Sequence, residues 1–97
     1  MNLMERRNKS IKRRDKLEKL LAQQFERLCV NGNLCFRKQN GVVFSLCVFP
    51  KDAAIVVEYA DTIDDAEKNL FEDGDLFYIE EMDEETMYQA VIQEIGQ

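Results

Sequence analysis

The feature that most constrains the fold is a long apolar run near the middle of the chain, interrupted only by Ser45. Residues 42–49 read Val-Val-Phe-Ser-Leu-Cys-Val-Phe, so a strand built from them is apolar on both faces. Such a strand has to be covered on both sides, by helices or by another subunit. A chain of 97 residues suits one domain with a single core. The sequence therefore predicts a single α+β domain over residues 1–97.

The segments around this strand predict a three-stranded antiparallel meander. Asn40-Gly41 is typical of a two-residue hairpin turn, because such turns need positive φ at both central positions. That turn would place Phe36 opposite Ser45. Residues 54–59, Ala-Ile-Val-Val-Glu-Tyr, then predict the third strand.

The N-terminal part of the chain predicts a long helix from about residue 10 to residue 29. Its apolar face recurs at helical spacing and consists of Leu17, Leu21, Phe25 and Leu28. The glycine of Asn31-Gly32-Asn33 would end this helix. Upstream of Leu17 the apolar residues thin out, so we expect residues 1–16 to be a basic arm or helix extension that projects or frays. Residues 17–97 would form the globular body.

The C-terminal part predicts two acidic helices. Thr62 has the spacing of a helix cap, and Gly74 would follow the last turn of that helix. Residues 75–80 are consistent with either a short fourth strand or a loop. Asp83 would cap the final helix, and Gly96 would end it.

Charge is sorted by position along the chain. Residues 1–38 hold eleven Lys/Arg and four Asp/Glu, whereas residues 39–97 hold two and fifteen, so the formal charges are +7 and −13. This distribution predicts a strongly dipolar molecule and says more about partners than about chemistry. The predicted partner-binding acidic face consists of Asp61, Asp64, Asp65, Glu67, Glu72, Asp73, Asp75, Glu80, Glu81, Asp83, Glu84 and Glu85.

Ordered carboxylates can imitate a row of phosphates and occupy a basic groove on another protein. In size, acidity and mixed α/β build, the chain is similar to some phage-encoded anti-CRISPR inhibitors and to nuclease immunity proteins. This likeness implies a small protein-binding inhibitor, in effect a DNA mimic, from a phage or mobile element. An alternative is that the acids only form a solvated, solubilising surface.

The basic N-terminal helix supports two other hypotheses. Its candidate contact residues are Arg6, Arg7, Lys9, Lys12, Arg13, Arg14, Lys16 and Lys19. They could lie along nucleic-acid phosphates, which would make the chain a nucleic-acid-binding accessory protein. They could also dock on the acidic body of a second copy, which would make the chain a self-associating structural protein and a homodimer.

Catalysis and metal binding are not expected. The sequence has no histidine and only four glycines, and it lacks the motifs of nucleophilic or phosphate-binding sites. Cys29, Cys35 and Cys47 each lie in an apolar context and predict buried, reduced thiols rather than disulfides or zinc ligands. No apolar run is long enough for a membrane helix, and no secretory signal is present, so we expect a cytoplasmic protein with no cofactor.

Overall fold

The computed structural model of the chain describes residues 2–96. Within these residues the elements are α1 (Leu3–Leu21), β1 (Glu26–Val30), β2 (Asn33–Arg37), β3 (Val43–Phe49), a 3₁₀-helix (Pro50–Asp52), β4 (Ala54–Ala60), α2 (Ile63–Glu67), β5 (Glu72–Tyr78) and α3 (Glu84–Ile95). The strands form one antiparallel sheet in the order β1-β2-β3-β4-β5. The predicted α+β class is confirmed, but the sheet has five strands rather than three or four.

The first helix is placed differently from the prediction. It begins at Leu3 and ends at Leu21, and the segment from Glu26 to Val30 is an edge strand paired with β2. Asn31 and Gly32 have φ values of 52° and 81°, so they form a hairpin turn rather than a helix end. The apolar spacing continues past Leu21 because one side of β1 is also partly buried, and over so short a stretch apolar residues fit a helix face and a strand face equally well.

The N-terminal half of α1 is ordered against the body and does not project or fray. Asn2 caps the helix by accepting a hydrogen bond from the Glu5 backbone N–H at 2.8 Å. Arg6 donates to the Lys51 carbonyl in the 3₁₀-helix at 2.9 Å. Ser10 is fully buried. These contacts fix the basic segment on the turn between β3 and β4.

The turn between β2 and β3 also differs from the prediction by one residue. Lys38 N–H donates to the Val42 carbonyl, and Phe36 pairs with Phe44 rather than with Ser45. The loop therefore has three residues, 39–41, and only its glycine has positive φ, at 92°. This is a type I turn followed by a glycine bulge, which an Asn-Gly pair also favours.

Helices α1 and α3 cover one face of the sheet and form the main core with it. Phe44 lies at the centre of this core, edge-on to Phe25 with ring centroids 5.1 Å apart and stacked on Phe36 at 5.4 Å. The helices contribute the buried side chains of Leu17, Leu21, Met87, Val91 and Ile95. The buried residues of α3 recur every four positions, so they lie on one face of that helix.

The opposite face of the sheet has much less cover. Helix α2 has only five residues, and its Ala66 packs in a small cluster with Val30, Cys35, Val43 and Ala60. The predicted helix up to Gly74 is wrong, because Asn69 takes a φ of 61° just after α2 and β5 begins at Glu72. The ambiguous segment 75–80 is for the most part strand.

The predicted caps are confirmed. Thr62 Oγ1 accepts from the Asp65 backbone N–H at 3.1 Å, and Asp83 Oδ1 accepts from that of Thr86 at 2.8 Å. Gly96 follows α3 with a φ of 71°. These residues act locally, so their roles could be predicted from the sequence alone.

The edge strand β5 is fastened to α3 by Glu94. Its carboxylate accepts from the Tyr59 hydroxyl at 2.7 Å and from the Asp75 backbone N–H. A Cβ atom at Gly74 would lie 2.7 Å and 2.9 Å from the two carboxylate oxygens of Glu94 and 2.9 Å from a ring carbon of Tyr59. Gly74 is therefore required here for close approach and not for backbone freedom.

We expect Gly74→Ala to destabilise the fold by about 1–3 kcal/mol, because the added methyl displaces Glu94 from β5. Urea unfolding of Gly74→Ala, Glu94→Ala and the double variant measures this. The cost of Gly74→Ala should fall clearly in the Glu94→Ala background. An unchanged cost would contradict the proposed contact.

Candidate functional site

The predicted acidic residues fall into two groups, one running from the α2 segment to the middle of β5 and one lying beyond the far end of β5. The first, here named the α2–β5 acidic cluster, consists of Asp61, Asp64, Asp65, Glu67, Glu72, Asp73 and Asp75. The second, here named the β5–α3 acidic group, consists of Glu80, Glu81, Asp83, Glu84 and Glu85. Strand β5 has seven residues and so separates its two ends by roughly 20 Å. The structure therefore does not bring all twelve acids onto one continuous face.

The α2–β5 acidic cluster is exposed and poorly neutralised. Six of its seven side chains are exposed, and Asp65 is half-buried. Among residues 2–96 the cluster makes one ion pair, between Asp64 and Lys68 at 2.9 Å. That lysine lies four residues further along the same segment and is itself exposed, so the pair is weak.

The β5–α3 acidic group lies beside the cations of α1. Lys16 pairs with Glu84 at 2.7 Å, and Arg13 donates to the Met82 carbonyl at 2.9 Å. The pKa of Asp83 is lowered, chiefly by its hydrogen bond from the Thr86 backbone N–H and to a smaller extent by Arg13. This group therefore meets positive charge from its own chain.

The arginines of the predicted basic contact surface serve mostly within the chain. Arg6 and Arg13 donate to backbone carbonyls, and Arg14 lies near Asp15 at 3.4 Å and Glu18 at 3.9 Å. The guanidinium of Arg7 is the exception, since within residues 2–96 it makes neither a hydrogen bond nor an ion pair.

The lysines of α1 are arranged differently. Lys9, Lys12, Lys16 and Lys19 are all exposed and recur every three or four residues, so they form one stripe along the helix. Within the described residues only Lys16 of this stripe has an ion-pair partner. The stripe is the part of the basic segment that remains available to an outside anion.

Sequence reasoning missed Glu58, which extends the α2–β5 acidic cluster onto the sheet. Glu58 lies on β4 beside Asp73 of β5, on the sparsely covered face. Burial raises the pKa of Glu58, and the neighbouring charge of Asp73 raises it further. A single acid within an otherwise apolar strand was the signal available in the sequence.

A groove opens between β2 and β3 because these strands pair over only two residue pairs, Phe36 with Phe44 and Arg37 with Val43. Beyond that point the strands diverge, and residues 33–35 and 45–48 line opposite walls of a cavity of about 600 Å³. Helix α1 lines one side of the groove, and the segment around α2 lines the other.

The free edge of β3 faces this groove. The Lys38–Val42 hydrogen bond shows that the even-numbered residues of β3 direct their backbone groups toward β2. Leu46 and Val48 therefore turn their N–H and C=O groups toward the groove, where no strand of residues 2–96 pairs with them. Glu18 and Glu58 line the groove, and burial raises the pKa of each.

The thiols do not form a site. Cys35 is buried and Cys47 is half-buried, and burial raises the pKa of both, which makes them poor nucleophiles. Cys29 is exposed on β1, so the prediction that it is buried is wrong, because edge strand β1 has one open face. Over residues 2–96 no group of three or more His, Cys, Asp and Glu is placed to hold a metal ion. No helix in this part of the chain is long and apolar enough to cross a membrane.

We expect Glu58→Gln to stabilise the fold at neutral pH. A carboxyl whose pKa is higher in the folded state than in the unfolded state contributes stability at low pH and loses it as pH rises through the folded pKa. The gain should therefore be clear near pH 7 and small near pH 3.5, below the ordinary glutamate pKa of about 4.3.

Urea unfolding at both pH values checks this prediction. The matched control, Glu67→Gln, removes an equal charge from an exposed site of the same cluster. An equal gain in both variants would show that overall negative charge, rather than burial of Glu58, is responsible.

Comparison with known proteins gives no relative. No protein-family model matches the chain. No curated protein and no solved structure matches it either. Its activity therefore has to be inferred from its own residues and their arrangement.

Proposed function

We propose that this chain is a non-catalytic protein-binding module that holds a basic surface of another protein through the α2–β5 acidic cluster. One observation supports this above all. Seven carboxylates lie on and around α2 and along the first four residues of β5, and within residues 2–96 only Asp64 of these has a cation within 4.0 Å. The negative field of this cluster is thus left for an outside partner.

The chemistry of such a cluster matches a basic groove. Arginine and lysine form charge-assisted hydrogen bonds with carboxylates as they do with phosphates. Complementary potentials also speed the encounter and select the partner. In its specific form the proposal is a cytoplasmic inhibitor, of phage or mobile-element origin, that competes with nucleic acid for a nuclease or another nucleic-acid-binding protein.

The β5–α3 acidic group takes a smaller part in this proposal. Lys16 and Arg13 already lie against it, so a partner would gain less by adding further positive charge there. This difference between two groups of similar composition makes the proposal testable within one molecule.

A second candidate function rests on the lysine stripe of α1. Lys9, Lys12 and Lys19 are exposed and make no ion pair within the described residues. Such a stripe can follow a phosphate backbone, with an affinity that falls steeply as salt rises. The chain would then be a nucleic-acid-binding accessory protein, and the acidic cluster would face away from the nucleic acid.

Two double charge reversals test the first candidate. Glu67→Lys with Asp73→Lys alters the α2–β5 acidic cluster, and Glu81→Lys with Glu85→Lys alters the β5–α3 acidic group by the same net charge. A fluorescent oligo-arginine peptide is the probe, and its dissociation constant is measured by anisotropy over a salt series. We expect the first variant to bind about tenfold more weakly or worse, and the second to lose clearly less.

The outcomes separate the hypotheses. Equal weakening in both variants would mean that the peptide follows net charge, and the cluster would then be only a solubilising surface. Tight binding of a DNA or RNA duplex instead, lost when Lys9, Lys12 and Lys19 become Ala, would favour the second candidate. An increase in the protein's hydrodynamic size at low salt, measured by light scattering, would indicate self-association.

A further inference from the structure

We propose that the groove between β2 and β3 accepts an extended segment of the partner protein, which adds as a strand to the free edge of β3. This inference rests on the proposed function, since the same basic partner would supply the segment. It adds a binding mode that the acidic cluster alone does not define.

The first support is the backbone of β3. Leu46 and Val48 present N–H and C=O groups that no strand of residues 2–96 pairs with on that side. Unpaired backbone groups at a strand edge are a ready template for another strand. The stretch from Leu46 to Phe49 is about 13 Å long, which suits roughly four residues of added strand.

The second support is the shape of the groove. Its volume of about 600 Å³ lies within the ordinary range of binding sites. Its walls are the hairpin end at residues 33–35 and the β3 edge, and Ile11 of α1 lies along one side. The other side is formed by Ala66 and Phe71, so the groove is bounded on both faces of the sheet.

The hairpin wall is held in place. The Asn31 side chain donates to the Glu67 carbonyl at 2.9 Å, which ties the β1–β2 turn to the end of α2. Val30 and Cys35 pack with Ala66 in the smaller core cluster. The two strands therefore stay apart because the hairpin is packed toward α2.

The third support is charge, which selects the kind of segment. Glu58 lines the groove on the side of the α2–β5 acidic cluster, next to Asp73, and its carboxyl is half-buried. Glu58 is partly buried and has no cation beside it within the described residues. A basic side chain of an added strand would pair with its carboxylate and supply that cation. On the α1 side, Arg14 lines the groove and its buried Nε atom has no hydrogen-bond partner within the described residues. This nitrogen lies 3.9 Å from Glu18 Oε1, so it would donate to an oxygen of the segment once the guanidinium turns from Glu18 toward the groove.

Strand geometry also predicts an alternating sequence for the added segment. Successive side chains of an added strand point to opposite faces. A segment with basic side chains at alternate positions would direct them toward Glu58 and the acidic cluster, while the intervening apolar ones face Ile11 of α1.

The probe is a short synthetic peptide of alternating lysine and valine, compared with the same peptide N-methylated at alternate backbone amides. Both carry equal charge, but the second cannot donate to β3. We expect the N-methylated peptide to bind about tenfold more weakly or worse. Amide hydrogen exchange should slow at Leu46 and Val48 when the unmodified peptide binds, and should not slow along the outer edge of β5.

A matched pair of variants gives an independent readout. Cys47→Phe fills the groove, whereas Cys29→Phe adds the same bulk at an exposed site that does not line it. We expect the first to weaken peptide binding at least about tenfold and the second to leave it unchanged. If Cys47→Phe fails to fold, Glu58→Gln replaces it, since it removes the charge from the groove and keeps the shape.

The results distinguish this inference from the function on which it rests. Equal binding of both peptides, unaffected by Cys47→Phe but lost in the Glu67→Lys/Asp73→Lys variant, would leave the acidic cluster as the binding site and overturn strand addition. No binding of either peptide would overturn both. A dimer of the free chain that Cys47→Phe abolishes would show that a second copy fills the groove, which also overturns the proposal.

Discussion

The whole structure depends on how one short chain covers a five-stranded sheet. Helices α1 and α3 cover one face with Leu17, Leu21, Met87 and Val91, and the buried rings of Phe36 and Phe44 meet them there. The other face is covered only by the five residues of α2 and by the β1–β2 hairpin, which packs against α2. Cover is therefore concentrated on one side. The open features of the molecule, the groove and the acidic cluster, lie where cover is thin.

This arrangement links the fold to its charge. The cations of α1 lie where the helix crosses the 3₁₀-helix and the start of α3, so Arg6, Arg13 and Lys16 are engaged there. Arg13 and Lys16 lie beside the β5–α3 acidic group, whereas Arg6 contacts the Lys51 carbonyl, and none of the three pairs with the acids around α2. The net charge of −6 is therefore unevenly compensated, and the uncompensated part lies beside the groove. A partner bound at this end of the sheet would meet both features together.

Much of the fold could be predicted from local signals. The structure confirms the apolar strand at residues 43–49, the caps at Thr62 and Asp83 and the glycine after α3. Each of these features depends on residues close to it in the sequence. The end of α1 could not be predicted this way, since Phe25 and Leu28 continue its apolar spacing while lying beyond it in the chain. The predicted register of the β2–β3 hairpin was wrong because an Asn-Gly pair suits both a two-residue and a three-residue loop.

The site could be predicted only in part, for a related reason. Composition identified the acids, but their division into two groups depends on β5, a strand that the sequence left ambiguous. Glu58 was missed because its burial and its neighbour Asp73 are set by a pairing between β4 and β5 that contains a bulge. The groove exists because β2 and β3 pair over only two residue pairs. No local residue pattern indicates where the pairing of two strands ends.

On the proposal made above, the α2–β5 acidic cluster carries a negative field that the chain's own cations leave uncompensated. Paramagnetic relaxation of backbone amides by a cationic and an anionic nitroxide of equal size measures that field directly, without a partner. We expect the cationic probe to accumulate most strongly over Asp64 to Asp73, well above its level over Glu80 to Glu85. Equal enhancement at the two groups, or an excess over Glu80 to Glu85, would contradict it.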